Sequence, residues 1–187
     1  MTSFLRTVVG MPADEVLLSN VIALSASALA APVIGKLCDR VGRRPTMAAS
    51  ALLLGCLAIP AYQLASDGTI SSAISAQLML ALGAVTANVV TAVLLCEVFP
   101  TRVRYTASAV TYNVAYAIFG GTAPFVATWL IASTGDRLAP AIYITIIAVV
   151  AFLVTLVSPE TAGRPFRGAG RSAGEAIIEH RRMKSHA

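Results

Sequence analysis

The ionisable side chains of this sequence are gathered into a few short clusters, and two of these hold residues spaced for chemistry. One is Gly35-Lys-Leu-Cys-Asp39-Arg40-Val-Gly42-Arg43-Arg44-Pro45, with a single acid among its bases. The other is Glu97-Val-Phe-Pro100-Thr-Arg102-Val-Arg104-Tyr105-Thr106. The chemistry open to them is ion pairing. A guanidinium from Arg43 or Arg44 can fork onto a carboxylate. Asp39 can meet a helix N-terminus, where a carboxylate contributes about 0.3–1 kcal/mol, or pair with an arginine. Gly42 permits a tight reversal, and Gly35 leaves room for a neighbouring helix. Glu97 is the expected partner of Arg43 or Arg44, because an acid at the edge of a membrane is costly unless paired. Pro100 breaks the helix, and Thr101 or Thr106 can cap the next one. Covalent chemistry has no support. There is no nucleophile–base set or phosphate loop, and Cys38, Cys56 and Cys96 lack metal-ligand spacing. The chain reads as no enzyme, with no metal and no cofactor.

The elements that must position these clusters are long and apolar. Of the residues, 57% are hydrophobic and 12% charged, against roughly 25% charged in a soluble domain, so the chain has too little polar material for a water-facing surface. Charge-free runs predict helices over residues 16–34, 46–66, 70–96, 105–133 and 139–158. Each is close to the ~20 residues that cross a hydrocarbon core of roughly 30 Å. None alternates as a transmembrane strand would. The fold class is therefore an all-α membrane protein with five transmembrane helices. Residues 1–15 are too short to span; Pro12 followed by Asp14 and Glu15 reads as a helix start. Those acids stand where a signal peptide needs bases, so residues 16–34 read as a retained span despite the cleavage-like Ala28-Leu-Ala30.

The connectors orient the helices. Arg6 and Arg137 fall on one side. Lys36, Arg40, Arg43, Arg44, Arg102, Arg104, Arg164, Arg167, Arg171, Arg181, Arg182 and Lys184 fall on the other, which accounts for all 14 basic residues. The positive-inside rule places that second side, with the tail 160–187, in the cytoplasm and the N-terminus outside. Basic residues distributed this way mark membrane topology and exclude a nucleic-acid face. The tail could lie as a helix on anionic lipid or stay solvated. An odd number of spans with an outside N-terminus and no leading signal suggests that something precedes them.

The string from Gly35 to Arg44 resembles the loop motif that major facilitator transporters carry once in each six-helix half. Glu97-Val-Phe-Pro-Thr-Arg-Val-Arg-Tyr105, with Tyr112-Asn113 and Gly120-Gly121-Thr122-Ala123-Pro124, is similar to the metabolite:proton symporter branch, whose carriers take proline and betaine, α-ketoglutarate, shikimate or citrate. Pro159-Glu160-Thr161-Ala-Gly163-Arg164 is similar to the motif after the last helix of many members.

The resemblance implies helices 8–12 of a twelve-helix fold, with residues 1–11 the end of the seventh and residues 16–159 the membrane domain. It implies proton-coupled symport of small organic acids or zwitterions by alternating access in the plasma (inner) membrane. The N-terminal half is absent on this reading, so the chain alone is expected to be inactive. Its partners are the lipid bilayer and, once completed by that half, a small organic solute and a proton. Asp39 would then lack a partner that lies in the other half. Gly35, Asp39, Arg40, Gly42, Arg43, Arg44, Glu97, Arg102 and Arg104 become a cytoplasmic gate motif. The third span would line most of the cavity, with the first and fourth beside it. Its candidates are Gln77, Thr86, Asn88, Thr91, Tyr112, Asn113 and Tyr116, although helix-to-helix hydrogen bonds explain the amides as well. Gly120, Gly121 and Pro124 would interrupt the fourth span. Trp129 and Tyr143 read as interface or packing residues. No ionisable group lies deep in a span, so the proton carrier is assigned to the other half. The rival reading is a non-transporting membrane subunit that binds a partner through its exposed side.

Overall fold

The computed structural model describes residues 1–100 and 103–157. Thr101, Arg102, the motif from Pro159 and the basic tail lie outside the described residues. The N-terminal helical turn α1 (Thr2–Phe4) widens into a π turn, Leu5–Val9, and stops at the left-handed Gly10, φ 79°. The long helices follow: α2 (Ala13–Val41), α3 (Arg43–Ala65) and α4 (Ile70–Val98). Then come α5 (Arg104–Ala115), a second π turn at Tyr116–Gly120, α6 (Gly121–Thr134) and α7 (Ala139–Val157). α5, its π turn and α6 make one 31-residue span, so five helices are long and apolar enough to cross a membrane.

Local sequence explains the helix ends. Pro12 precedes α2, and Asp14 and Glu15 occupy its first turn, where carboxylates favour the positive end of the helix dipole. Thr69 and Ser72 form a reciprocal capping box on α4: the Thr69 hydroxyl accepts the Ser72 N–H at 3.3 Å and the Ser72 hydroxyl accepts the Thr69 N–H at 3.2 Å. α4 ends where Phe99 turns extended before Pro100, as the residue before a proline is driven to do. No side chain caps α5, so Thr106 does not play the role expected of it.

Two departures bear on function. The connector expected over residues 35–45 is a single residue. α2 continues to Val41, α3 starts at Arg43, and only Gly42 breaks the helix, at φ 109° and ψ 163°. Its N–H donates to the Cys38 carbonyl at 3.0 Å and its carbonyl accepts the Thr46 hydroxyl at 2.6 Å. Helical backbone satisfies its own polar groups near lipid, while Lys and Arg stems carry their charge outward; the charged residues therefore need no loop. The break expected at Gly120, Gly121 and Pro124 is a widened turn in a helix that continues. Pro124 has no N–H to give the carbonyl one turn back, and its ring crowds that carbonyl. The ladder relaxes into the π turn, in which the Gly121 N–H reaches the Tyr116 carbonyl.

α3 is central: α4 packs on one side of it and α7 on another, while α2 packs on α4. Small residues set these distances. A Cβ on Gly83 would stand 2.7 Å from Leu54 Cγ of α3, and one on Gly55 3.4 Å from Ala148 Cβ of α7. At Gly35 a Cβ would be 4.0 Å from Val89, an ordinary contact, so the close approach expected there occurs at Gly83 instead. The end of the bundle away from the basic clusters is sealed by Phe4, Leu5 and Met11 against Tyr62, Ala65 and Ala73. Phe4 meets Tyr62 edge-on at 4.9 Å between ring centroids. Leu17, Val21, Leu24, Leu29 and Val33 of α2 are exposed and form an apolar outer surface suited to lipid.

Candidate functional site

At the basic end, Gly42 turns the chain so that Arg43 opens α3 beside the last turn of α4. Arg43 Nε and Nη2 lie 3.0 and 2.8 Å from Glu97 Oε1. Nη2 also reaches Asp39 Oδ1 at 3.1 Å, and Nη1 donates to the Cys38 carbonyl at 3.4 Å. The Arg43 and Glu97 side chains are 13% and 16% exposed, so the pair is largely withdrawn from water. Asp39 is 67% exposed. It meets Arg43 within the chain, and its carboxylate remains open to further contacts. Arg44 donates instead to the Leu156 carbonyl in the last turn of α7, where a cation suits the negative end of a helix. Adjacent arginines thus hold α3 to α4 and to α7. Arg104 Nε donates to the Phe99 carbonyl at 3.3 Å, closing the turn into α5. Lys36 and Arg40 are exposed.

The second site is built along α4. A helix turns about 100° per residue, and this separates the candidate polar residues. Thr86 lies with Gly83 and Val90 on the buried side of α4, and its hydroxyl donates to the Leu82 carbonyl at 2.7 Å. Gln77 is buried, and its Nε2 donates to Ser19 of α2 at 2.7 Å, while the Ser19 hydroxyl donates to the Val16 carbonyl at 2.9 Å. Thr86 and Gln77 are therefore buried among the described helices. Neither α2 nor α3 covers Asn88, which is exposed, while Thr91 is half-buried.

The fourth span runs back from the end of α4. Near its start the Ser108 hydroxyl donates to the Leu95 carbonyl of α4 at 3.0 Å. Farther along, α6 leans on α7 and α1. Between these attachments every residue from 109 to 125 is exposed. The Tyr112 and Tyr116 rings are stacked, with centroids 5.0 Å apart and planes 27° apart. The result is an open wedge between α4 and α5 that begins beyond the Leu95–Ser108 contact. The Asn88 and Asn113 amides each donate to a carbonyl one turn back, Ala84 at 3.2 Å and Ala109 at 2.7 Å. Gly120 lies at the far end of the wedge, where a Cβ would come within 3.1 Å of the Tyr116 ring; Gly121 and Pro124 follow in α6.

Ser19 and Gly83 were not singled out by the sequence. Ser19 is one of many serines in the spans, and only its register against Gln77 gives it a role. Gly83 carried a readable signal: it lies in a run of small residues at helical spacing, Ala73, Ala76 and Gly83, which marks a close helix contact. No group of His, Cys, Asp and Glu among the described residues is arranged to hold a metal ion.

The sequence model of the sugar (and other) transporter family matches residues 2–172. The proline/betaine transporter of Salmonella typhimurium strain LT2 is 40% identical over 147 residues, which cover 77% of this chain and 29% of that protein. The proline/betaine transporter of Escherichia coli strain K12 is 37% identical over 158 residues, covering 80% and 31%. The glycine betaine/proline/ectoine/pipecolic acid transporter OusA of Dickeya dadantii is 35% identical over 158 residues, covering 83% and 31%. The chain spans about a third of the length of these curated relatives. The family match takes in both arginine contacts, the wedge and every helix described above, and the chain belongs to the sugar (and other) transporter family within the major facilitator superfamily.

Proposed function

We propose that these helices are the eighth to twelfth of a symporter that moves small zwitterions, of the proline and betaine kind that its relatives are named for, by alternating access. The observation that carries the reading is the open middle of the fourth span. A membrane helix held at both ends and exposed from residue 109 to 125 carries Tyr112, Asn113 and Tyr116, and α4 beside it carries the exposed Asn88 and the half-buried Thr91. Polar groups at that depth are costly against lipid and suit a water-filled solute path. The basic end faces the cytoplasm. There the Arg43–Glu97 pair holds α3 and α4 as one body while the carrier rocks, and the exposed Asp39 is offered to the opposing helices. The described spans have no Asp, Glu, His, Lys or Arg in mid-membrane, so the coupling proton binds on helices outside this set. Those helices, on the same polypeptide or another, are needed for transport.

Uptake tests this. Proteoliposomes containing the 187-residue chain should accumulate no labelled proline or glycine betaine. The chain co-produced with the preceding helices of the Salmonella relative should accumulate it under an inward proton gradient. Gradient-driven uptake by the chain alone would overturn the claim that other helices are required. No uptake in either preparation, with a stable co-purifying membrane partner unlike a carrier, would favour a non-transporting subunit.

A further inference from the structure

The two halves of the fourth span are held unequally. α6 packs on α7 and on α1, and the short connector 135–138 ties it to α7. α5 packs on α4, but no residue of α5 is buried. Only Arg104, Ala107 and Ser108 are half-buried, all at its start, and the rest of α5 is exposed. There the Ser108 hydroxyl donates to the Leu95 carbonyl at 3.0 Å. Leu95 belongs to the last turn of α4, whose final four carbonyls have no partner within their own helix. Between the loosely held α5 and the firmly held α6 lies the π turn, Tyr116–Gly120.

A π turn is one of the few places where a helix bends sharply, and this one is equipped to bend. An unpaired carbonyl inside a membrane is costly, so a joint there needs a spare donor. The Gly121 N–H reaches the Tyr116 carbonyl, and the Thr122 hydroxyl donates to the Ile118 carbonyl within the same turn. The attachment at the other end is equally reversible. It lies at the basic end of the bundle, where water can take the place of Ser108 on the Leu95 carbonyl. From Tyr116 to Ser108, α5 is a lever about 12 Å long. A bend of about 20° at the π turn carries Ser108 about 4 Å, beyond the reach of its hydrogen bond. Building on the transport reading above, we infer that α5 is a flap. It hinges on the π turn, is latched to α4 by the Ser108–Leu95 hydrogen bond, and opens and closes the basic end of the wedge while α6 stays with α7.

Distances between nitroxide pairs in the complemented carrier, with its native cysteines replaced, test this. One pair is Leu37 of α2 and Tyr105 of α5, and the other is Trp129 of α6 and Leu153 of α7; all four side chains are exposed. The Leu37–Tyr105 pair should show two distances that differ by about 4–6 Å, as a swing of about 20° requires at that end of the lever. Saturating glycine betaine should shift the balance between them. The Trp129–Leu153 distance should hold within about 1 Å throughout. Ser108→Ala removes the latch and should raise the ratio of open to closed flap about three- to tenfold without solute. Pro124→Ala, which restores a donor at the joint, should cut the separation of the two Leu37–Tyr105 distances by half or more. These two variants act at opposite ends of α5, so a folding defect in one leaves the other to decide. A single Leu37–Tyr105 distance in a carrier that transports betaine would overturn the inference and leave the transport reading standing. So would a distribution that neither variant alters. A complemented carrier that takes up no betaine removes the transport reading and this inference with it.

Discussion

Arg43 begins a helix, where the dipole makes a cation unfavourable, and no acid occupies the first turn of α3 to offset it. The offset comes from Asp39 one turn before and Glu97 on α4. Their burial differs, and that sets their weights. Glu97→Gln leaves a largely buried guanidinium facing a neutral amide and should destabilise the detergent-solubilised protein by about 2–3 kcal/mol, somewhat below the ~3–5 kcal/mol of a fully buried pair. Asp39→Asn, at a solvated rim, should cost under about 1 kcal/mol. Arg43→Gln combined with Glu97→Gln should recover part of the loss, since no charge is then stranded. Denaturant unfolding of the four proteins measures this; equal effects of the Asp39 and Glu97 changes would mean that the clasp between α3 and α4 is not what holds this end. At Gln77 the prediction is a separation of effects. Ser19→Ala should lower stability by about 0.6–1.7 kcal/mol, the range of interhelical hydrogen bonds in membranes, and leave solute affinity in the complemented carrier unchanged. A shift in affinity there would return Gln77 to the binding surface.

At the scale of elements, the sequence revealed which segments are helices and hid how they face one another. Charge-free length identified all five spans, and Pro12 and Pro100 marked real ends. The residue counts around Gly42 misled because a charge at a membrane edge looks like a loop residue, although long basic side chains sit on helices there without penalty. The cavity candidates divided for a similar reason. Thr86, Gln77 and Asn88 are all uncharged polar residues in one apolar run. Only the placement of α2 and α3 around α4 buries two of them and leaves the third open. Gly83 is the clearest test of that placement. Gly83→Ala drives a methyl toward Leu54 and its backbone nitrogen, 2.7 Å and 3.1 Å away, and should cost about 1–3 kcal/mol as overpacking. Adding Leu54→Ala should return part of it. Gly35→Ala, in open contact, should stay within about 0.5 kcal/mol. Thermal unfolding in detergent compares them, and similar costs at the two glycines would contradict the α3–α4 packing. For the π turn, Pro124→Ala restores a donor opposite the Gly120 carbonyl. Amide exchange between Tyr116 and Gly121 should then slow as the ladder tightens; unchanged exchange would show that the turn is held by something other than the proline.

The whole molecule presents two kinds of outside. The exposed face of α2 is mostly Leu, Val, Ile and Ala suited to hydrocarbon, with Ser25 and Pro32 among them, whereas α4 carries the exposed Ala84 and Asn88 and the half-buried Thr91 along one side. If the second face lines a solute path, water must reach it when the remaining helices stand opposite, and water must not reach the first. Single cysteines placed at Leu24 and at Ala84, with Cys38, Cys56 and Cys96 replaced, report this directly. Both positions are exposed, and neither belongs to the proposed binding surface. Thiols react with maleimides as the water-ionised thiolate, so a cysteine held in lipid reacts slowly. In the complemented carrier, Leu24→Cys should label at least about tenfold more slowly than Ala84→Cys. Saturating glycine betaine should slow labelling at Ala84→Cys alone. An Ala84→Cys thiol as unreactive as the one at Leu24 would place the wedge in lipid. The fourth span would then be a docking face for another membrane subunit, and its tyrosines part of that contact.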